Sequence, residues 1–114
     1  MNIQNAPVVA IRDIVTFPNT IVPLYIGRPQ SVNAINFAFK ETKSILIVTQ
    51  KKANIEDIAI ENLYQYGTLA NIVHIAKNGK AEMKVIVDIH TRVKIEKFHT
   101  ETDKNIIIAS YTTQ

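Results

Sequence analysis

The 114-residue sequence contains no cysteine and no tryptophan, and only three glycines and four prolines. Without cysteine the chain holds neither a disulfide framework nor a thiolate zinc site, and a reducing cytoplasm suits it. Gly27, Gly67 and Gly79 stand alone. Isolated glycines assemble neither the phosphate loop of nucleoside triphosphatases nor the dinucleotide fingerprint, which excludes ATP hydrolysis by this segment. No apolar run exceeds about five residues, against the roughly 20 a helix needs to cross a bilayer. The opening Met1-Asn2-Ile3-Gln4-Asn5 lacks the basic start and apolar stretch of a secretory signal. A soluble, membrane-free domain is expected.

Charge is also modest: 13 Lys+Arg against 10 Asp+Glu give a formal +3. Only Lys51 and Lys52 adjoin, so no basic stripe that would follow a phosphate backbone is visible, which weighs against nucleic acid as a partner. What the chain has in quantity is β-branched side chains. Ile, Val and Thr make up 39 of the 114 residues, and leucine only 4. Stiff branched side chains suit a pleated surface, so the fold class is mainly β, in one domain spanning 1–114.

Local patterns place the elements. Residues 7–11 form a first short strand running into a Pro18-Asn19 turn, and residues 21–26 form a second, in which Pro23 requires an edge position or a nitrogen facing away from its neighbour. Gly27 ends it. Ser31 is expected to cap a helix over 32–41 whose inner face carries Val32, Ile35, Ala38 and Phe39, with Asn33, Asn36 and Lys40 outward. Residues 45–48, Ile-Leu-Ile-Val, are too short for a helix and read as a strand buried on both faces. Residues 50–62 are polar, with no sustained period, and read as a long mobile connection. Asn78-Gly79 predicts a two-residue hairpin turn, pairing Ala76 with Ala81, His74 with Met83, Ile72 with Val85 and Ala70 with Val87. That register gives one apolar face, which includes His74, and one wet face with Asn71, Glu82, Lys84 and Asp88. Residues 105–111 form the closing strand.

Catalytic templates fail. His74, His90 and His99 lack the helical spacing of a zinc site. Ser31, Ser44 and Ser110 lack a nucleophile elbow, and Glu56, Asp57 and Glu61 lie in the polar connection, which does not hold carboxylates rigidly enough for acid–base work. No catalytic, cofactor-binding or metal residue is expected. Arg12-Asp13 and Arg92, flanking apolar strands, read as salt-bridge or backbone-clamp residues, with a partner-binding edge as the functional alternative. Phe17, Tyr25, Phe37, Phe39, Tyr64, Tyr66, Phe98 and Tyr111 are mostly expected in the core, with a few forming an exposed patch for peptide contact.

The stretch 9–28, VAIRDIVTFPNTIVPLYIGR, resembles the opening of the Lon protease N-terminal domain, with its strand, Arg12-Asp13, Phe17-Pro18 turn, Pro23-Leu24 strand and Gly27-Arg28 exit. Ser31, the strand exit at 46–51, residues 63–70 around Gly67, and Arg92-Val93-Lys94-Ile95 continue the match in family order. Ala10 stands where the family has Pro, and Asn19 and Ile89 stand where it has Gly. Asn19 tolerates the left-handed angles of the turn; Ile89 does not. The resemblance implies a PUA-like pseudo-barrel of twisted antiparallel sheets with a helix after the second strand. It makes Arg12, Asp13, Phe17, Pro18, Pro23, Gly27, Arg28, Gly67 and Arg92 family-motif residues of structural character. It further implies a non-catalytic module that recognises unfolded or tagged proteins and supports the homo-oligomer of a cytoplasmic, ATP-dependent serine endopeptidase, whose Ser-Lys dyad lies outside this chain. No cofactor is implied for this segment. Two other roles compete: a free-standing RNA-binding module, suggested by the barrel shape and a pI near 9.2, and a purely architectural oligomerisation domain.

Overall fold

Isoleucine and valine fill the strands that this composition predicts. The computed structural model describes residues 4–11, 19–51, 63–78, 82–103 and 105–113. Among them run β1 (Gln4–Ile11), β2 (Thr20–Ile26), α1 (Pro29–Lys40), β3 (Ser44–Gln50), β4 (Leu63–Asn78), β5 (Glu82–Glu101) and β6 (Ile106–Thr113). The strands order β2-β5-β4-β3-β1-β6, and β5 pairs again with β6, so β1, β3, β4, β5 and β6 close on themselves while β2 hangs on the outside of β5. Residues 12–18 and 52–62, with the Pro18 turn and the polar connection, lie outside the described residues.

The fold is mainly β with one helix, as the composition requires, with one departure from the antiparallel expectation. β1 and β3 run parallel, Val8 opposite Leu46 and Ala10 opposite Val48. The connection between them contains β2 and α1, long enough to return the chain in the same direction.

Two apolar clusters share these strands. Val9, Ile11, Ile45 and Ile47 face one that includes Leu24, Ile26, Ala34, Ile35, Val85, Val87 and Ile89. Val8, Ala10, Leu46 and Val48 face the other, with Leu63, Val93, Ile95, Ile107 and Tyr111. Successive residues of a strand point to opposite faces, so β1 and β3, apolar at every position from Ala6 to Ile11 and from Ile45 to Val48, serve both clusters. Each fully buried aliphatic side chain contributes roughly 1.5–3 kcal/mol.

The helix differs from expectation at its start. It begins at Pro29, with Arg28 at the cap position and no side-chain cap; a proline's fixed φ and missing N–H suit the first helical position. Ser31 is therefore inside the helix and buried, along with Ala34, Ile35 and Ala38. The buried face runs through Ser31, Ala34, Ile35 and Ala38, which leaves Phe39 outward, where the Lys43 ammonium lies 4.2 Å from its ring centre. Lys43 itself adopts φ 61° and its N–H donates to the Ala38 carbonyl, ending the helix.

The hairpin register also differs. Asn78 lies opposite Glu82, Ile75 opposite Val85 and His74 opposite Ile86, so the turn lies beyond Asn78 and the two-residue loop at 78–79 is overturned. A bulge between Ile72 and His74 then resets the pairing to Ile72–Val87 and Ala70–Ile89. The extra residue, Val73, flips the side-chain parity, so His74 is exposed rather than on the apolar face. Met83, Val85, Val87 and Ile89 still form the buried face of β5.

Candidate functional site

β2 is the end strand of the described sheet, and Pro23 stands at its centre. The ladder from Thr20–Ile89 to Ile26–Met83 runs without a shift, with Pro23 opposite Ile86. An unbroken ladder through a residue without N–H requires the Pro23 nitrogen to face away from β5. No other described strand pairs with β2. The edge left unpaired among the described residues therefore lacks a donor at its centre, which blunts it against the addition of a further strand.

The side chains of β2 divide by parity. Leu24 and Ile26 are buried, while Ile21, Pro23 and Tyr25 point out, Ile21 with 66% and Tyr25 with 58% of its surface exposed. Opposite them on β5 stand Asp88, Ile86 and Lys84, and the next strand adds exposed Val73 and His74, the latter opposite Ile86. The result is an apolar outer face of Ile21, Pro23, Tyr25, Ile86 and Val73, bordered by Lys84, Asp88 and His74. Exposed apolar side chains grouped in this way make the face a candidate contact site. Sequence reasoning expected a few exposed aromatics among a mostly buried set. In fact Tyr25, Phe39, Tyr64 and Tyr66 are all exposed, and only Tyr111 of the described aromatics is fully buried.

The motif residues take separate places. Arg12, Asp13, Phe17 and Pro18 lie outside the described residues. Asn19 adopts φ 64°, the left-handed conformation expected of it. Gly27 follows the last residue of β2, and Arg28 donates from one guanidinium nitrogen to the Ala10 carbonyl at 2.8 Å and from the other to Oε1 of buried Gln50. Among the described residues a backbone clamp is thus made by Arg28, tying the ends of β1 and β3. Gly67 lies between Val48 and Val93, where a Cβ would come within 3.0 Å of the Ile47 carbonyl oxygen. Arg92 is exposed and forms no ion pair with a described residue. Ile89 is fully buried in the core and β5 runs on through it, but the pairing with β4 shifts beside it, from Ala70–Ile89 to Leu69–Thr91, in keeping with the expectation that the local backbone differs where the family has Gly.

No catalytic arrangement forms among the described residues. The groove lined by Asn5, Lys97, His99, Glu101, Ile108 and Ser110 contains a serine, a histidine and a carboxylate. Its hydroxyl, however, donates to Asn5 Oδ1 at 2.7 Å, while His99 Nε2 pairs with Glu101 at 3.2 Å. The serine is bonded away from the imidazole that would have to activate it. No three His, Cys, Asp or Glu of the described residues gather as a metal site, and none of the described helices is long and apolar enough to cross a membrane.

The described residues thus form a closed β-barrel with an apolar outer face along β2. The chain belongs to the family described as the ATP-dependent protease La (LON) substrate-binding domain, whose model matches residues 5–113. It is 50% identical over 84 residues to Lon protease 1 of Hydrogenovibrio crunogenus, covering 74% of this chain and 10% of that protein. It is 40% identical over 92 residues to Lon protease of Haemophilus influenzae, covering 81% and 12%. The chain thus spans about a tenth of the length of these relatives. The fold is similar to the N-terminal domain of Mycobacterium avium complex Lon protease, with a TM-score of 0.75 at 19% identity over 97% of this chain and 55% of that one. A Lon N-terminal domain protein from Xanthomonas campestris gives a TM-score of 0.69 at 10% identity, over 96% and 59%.

Proposed function

We propose that this domain is the client-recognition part of an ATP-dependent Lon-type serine protease, and that it holds exposed segments of unfolded or tagged proteins against the face of Ile21, Pro23, Tyr25, Ile86 and Val73. The observation that carries the reading is this face, apolar and open to solvent in a family described as substrate-binding. Contact is through side chains rather than strand addition, because Pro23 removes the central donor of the β2 edge. Such contact is weak and tolerant of sequence, which suits a module that must release its client to a motor. In this reading the 114 residues are one domain of a longer, homo-oligomeric cytoplasmic protein, whose ATPase and peptidase parts lie elsewhere and whose assembly the domain supports.

Titration calorimetry of the 114-residue chain with a permanently unfolded, carboxymethylated protein and with the same protein folded tests this. Micromolar binding to the unfolded form and little to the folded form is expected, with the double variant I21S/Y25S losing most of the affinity. Equal binding to both forms, or an unaffected double variant, overturns it.

A further inference from the structure

The outer face of β5 gathers cations that are scattered in the sequence. Arg92 and Lys94 alternate on one face, about 7 Å apart as residues two apart in a strand are, and both are exposed. A bulge between Ile95 and Lys97 then shifts the parity, so that exposed Lys97 follows on the same side. None of the three forms an ion pair with a described residue. The flanking strands bring no acid near them: β4 (Leu63–Asn78) and β6 (Ile106–Thr113) contain neither Asp nor Glu. On β5 itself, Glu96 accepts from the Thr112 hydroxyl at 3.4 Å and Glu101 is held by His99. Beside the cations stands an aromatic pair, Tyr66 directly opposite Lys94 with 63% of its surface exposed, and Tyr64 two residues away on the same strand, also exposed. Three exposed cations that do not adjoin in the sequence are thus brought to one side of the strand.

We propose that Arg92, Lys94 and Lys97, with Tyr64 and Tyr66, form a second docking surface, separate from the β2 face, that takes an extended acidic polypeptide segment. Charge complementarity selects the occupant. Exposed cations without an ion pair among the described residues, with Arg92 and Lys94 two residues apart on one strand face, match carboxylates at alternate positions of an extended chain, and Tyr and Arg are the residues on which interfaces concentrate their affinity. The occupant is taken as a polypeptide because the family is described as the substrate-binding domain of a protease. The inference rests on the reading that the domain binds polypeptide, but uses different residues, so the two fail separately.

Fluorescence anisotropy of the 114-residue chain with a disordered Glu-rich peptide, its Gln-substituted counterpart, an apolar neutral peptide and a single-stranded oligonucleotide tests it. The acidic peptide is expected to bind at least tenfold more tightly than its Gln counterpart and to weaken as salt rises from about 50 to about 300 mM. R92E/K94E is expected to lose tenfold or more for the acidic peptide alone, Y66A several-fold, and I21S/Y25S nothing, while I21S/Y25S alone loses the apolar peptide. Thermal melts confirm that the variants are folded, and K97E repeats the test if R92E/K94E is not. Unchanged binding of the acidic peptide to folded R92E/K94E or K97E overturns the proposal, as does tighter binding of the oligonucleotide than of the peptide.

Discussion

The guanidinium of Arg28 reaches the Ala10 carbonyl oxygen across eighteen residues of chain, 2.8 Å away, and its other arm engages buried Gln50. One planar, permanently charged group thus serves acceptors near the ends of two parallel strands and ties them together. R28A leaves both acceptors without their charged donor. A loss of about 2 kcal/mol is expected, read as a fall of roughly 4–8 °C in melting temperature per kcal/mol. R28K restores the charge but not the fork and is expected to recover less than half. A melt of R28A within a degree of the parent would show the clamp to be incidental.

Which parts of this molecule could be read in advance follows from how local each signal is. The strand at Ile45–Val48 was legible because an unbroken apolar run bounded by polar residues has one compact solution, burial on both faces, and it lies between the two clusters as that requires. The left-handed Asn19 was legible because few residues tolerate φ 64°. The hairpin register was not, because the ladder already departs from it at Asn78 opposite Glu82, and the bulge at Val73 that shifts the pairing again to Ile72–Val87 has no local mark in the sequence. The candidate face was half legible. Pro23 announced an edge strand, whereas the exposure of Ile21 and Tyr25 depends on β2 pairing on one side only, and the grouping of Arg92 with Lys97 depends on a second bulge.

Ser31 separates the two accounts of the helix start. A capping serine satisfies a free amide, and its removal costs about 1 kcal/mol. The Ser31 hydroxyl instead is buried inside α1 and meets no hydrogen-bond partner among the described residues. Removing a buried polar group that has no bond is neutral or favourable. S31A is therefore expected to melt at the parent temperature or slightly above. A drop of several degrees in the calorimetric melt would restore the capping role.

Gly67 occupies the middle strand of a tight three-strand contact. Its partners are Val48 on β3 and Val93 on β5, and an added methyl would meet the Ile47 carbonyl oxygen at 3.0 Å and the Val48 side chain at 3.1 Å. The nearer atom is backbone in a paired strand and yields only if β3 moves. G67A is expected to destabilise by about 1–3 kcal/mol, the usual result of overpacking, and G67V by more. Denaturant unfolding midpoints measure it, and a midpoint for G67A equal to the parent would mean that β3 gives way freely.

Tyr111 links stability to alkaline pH. Its ring is buried in the barrel cluster and its hydroxyl donates to Gln4 Oε1 at 3.0 Å. Burial pushes the phenol above its ordinary value near 10, because the phenolate would lose its hydration. The folded chain therefore holds this proton more tightly than the unfolded chain. Its contribution is fully present below about pH 10 and is lost as pH rises through the raised folded value. Y111F has no such proton. At neutral pH it is expected to be less stable by about 1 kcal/mol, the loss of one hydrogen bond. As pH climbs from about 9 to about 11.5 the parent should lose stability faster than Y111F, so that the gap between their melting temperatures narrows and then closes. Parallel melting curves across that range, with a constant gap, would place the alkaline titration in other groups.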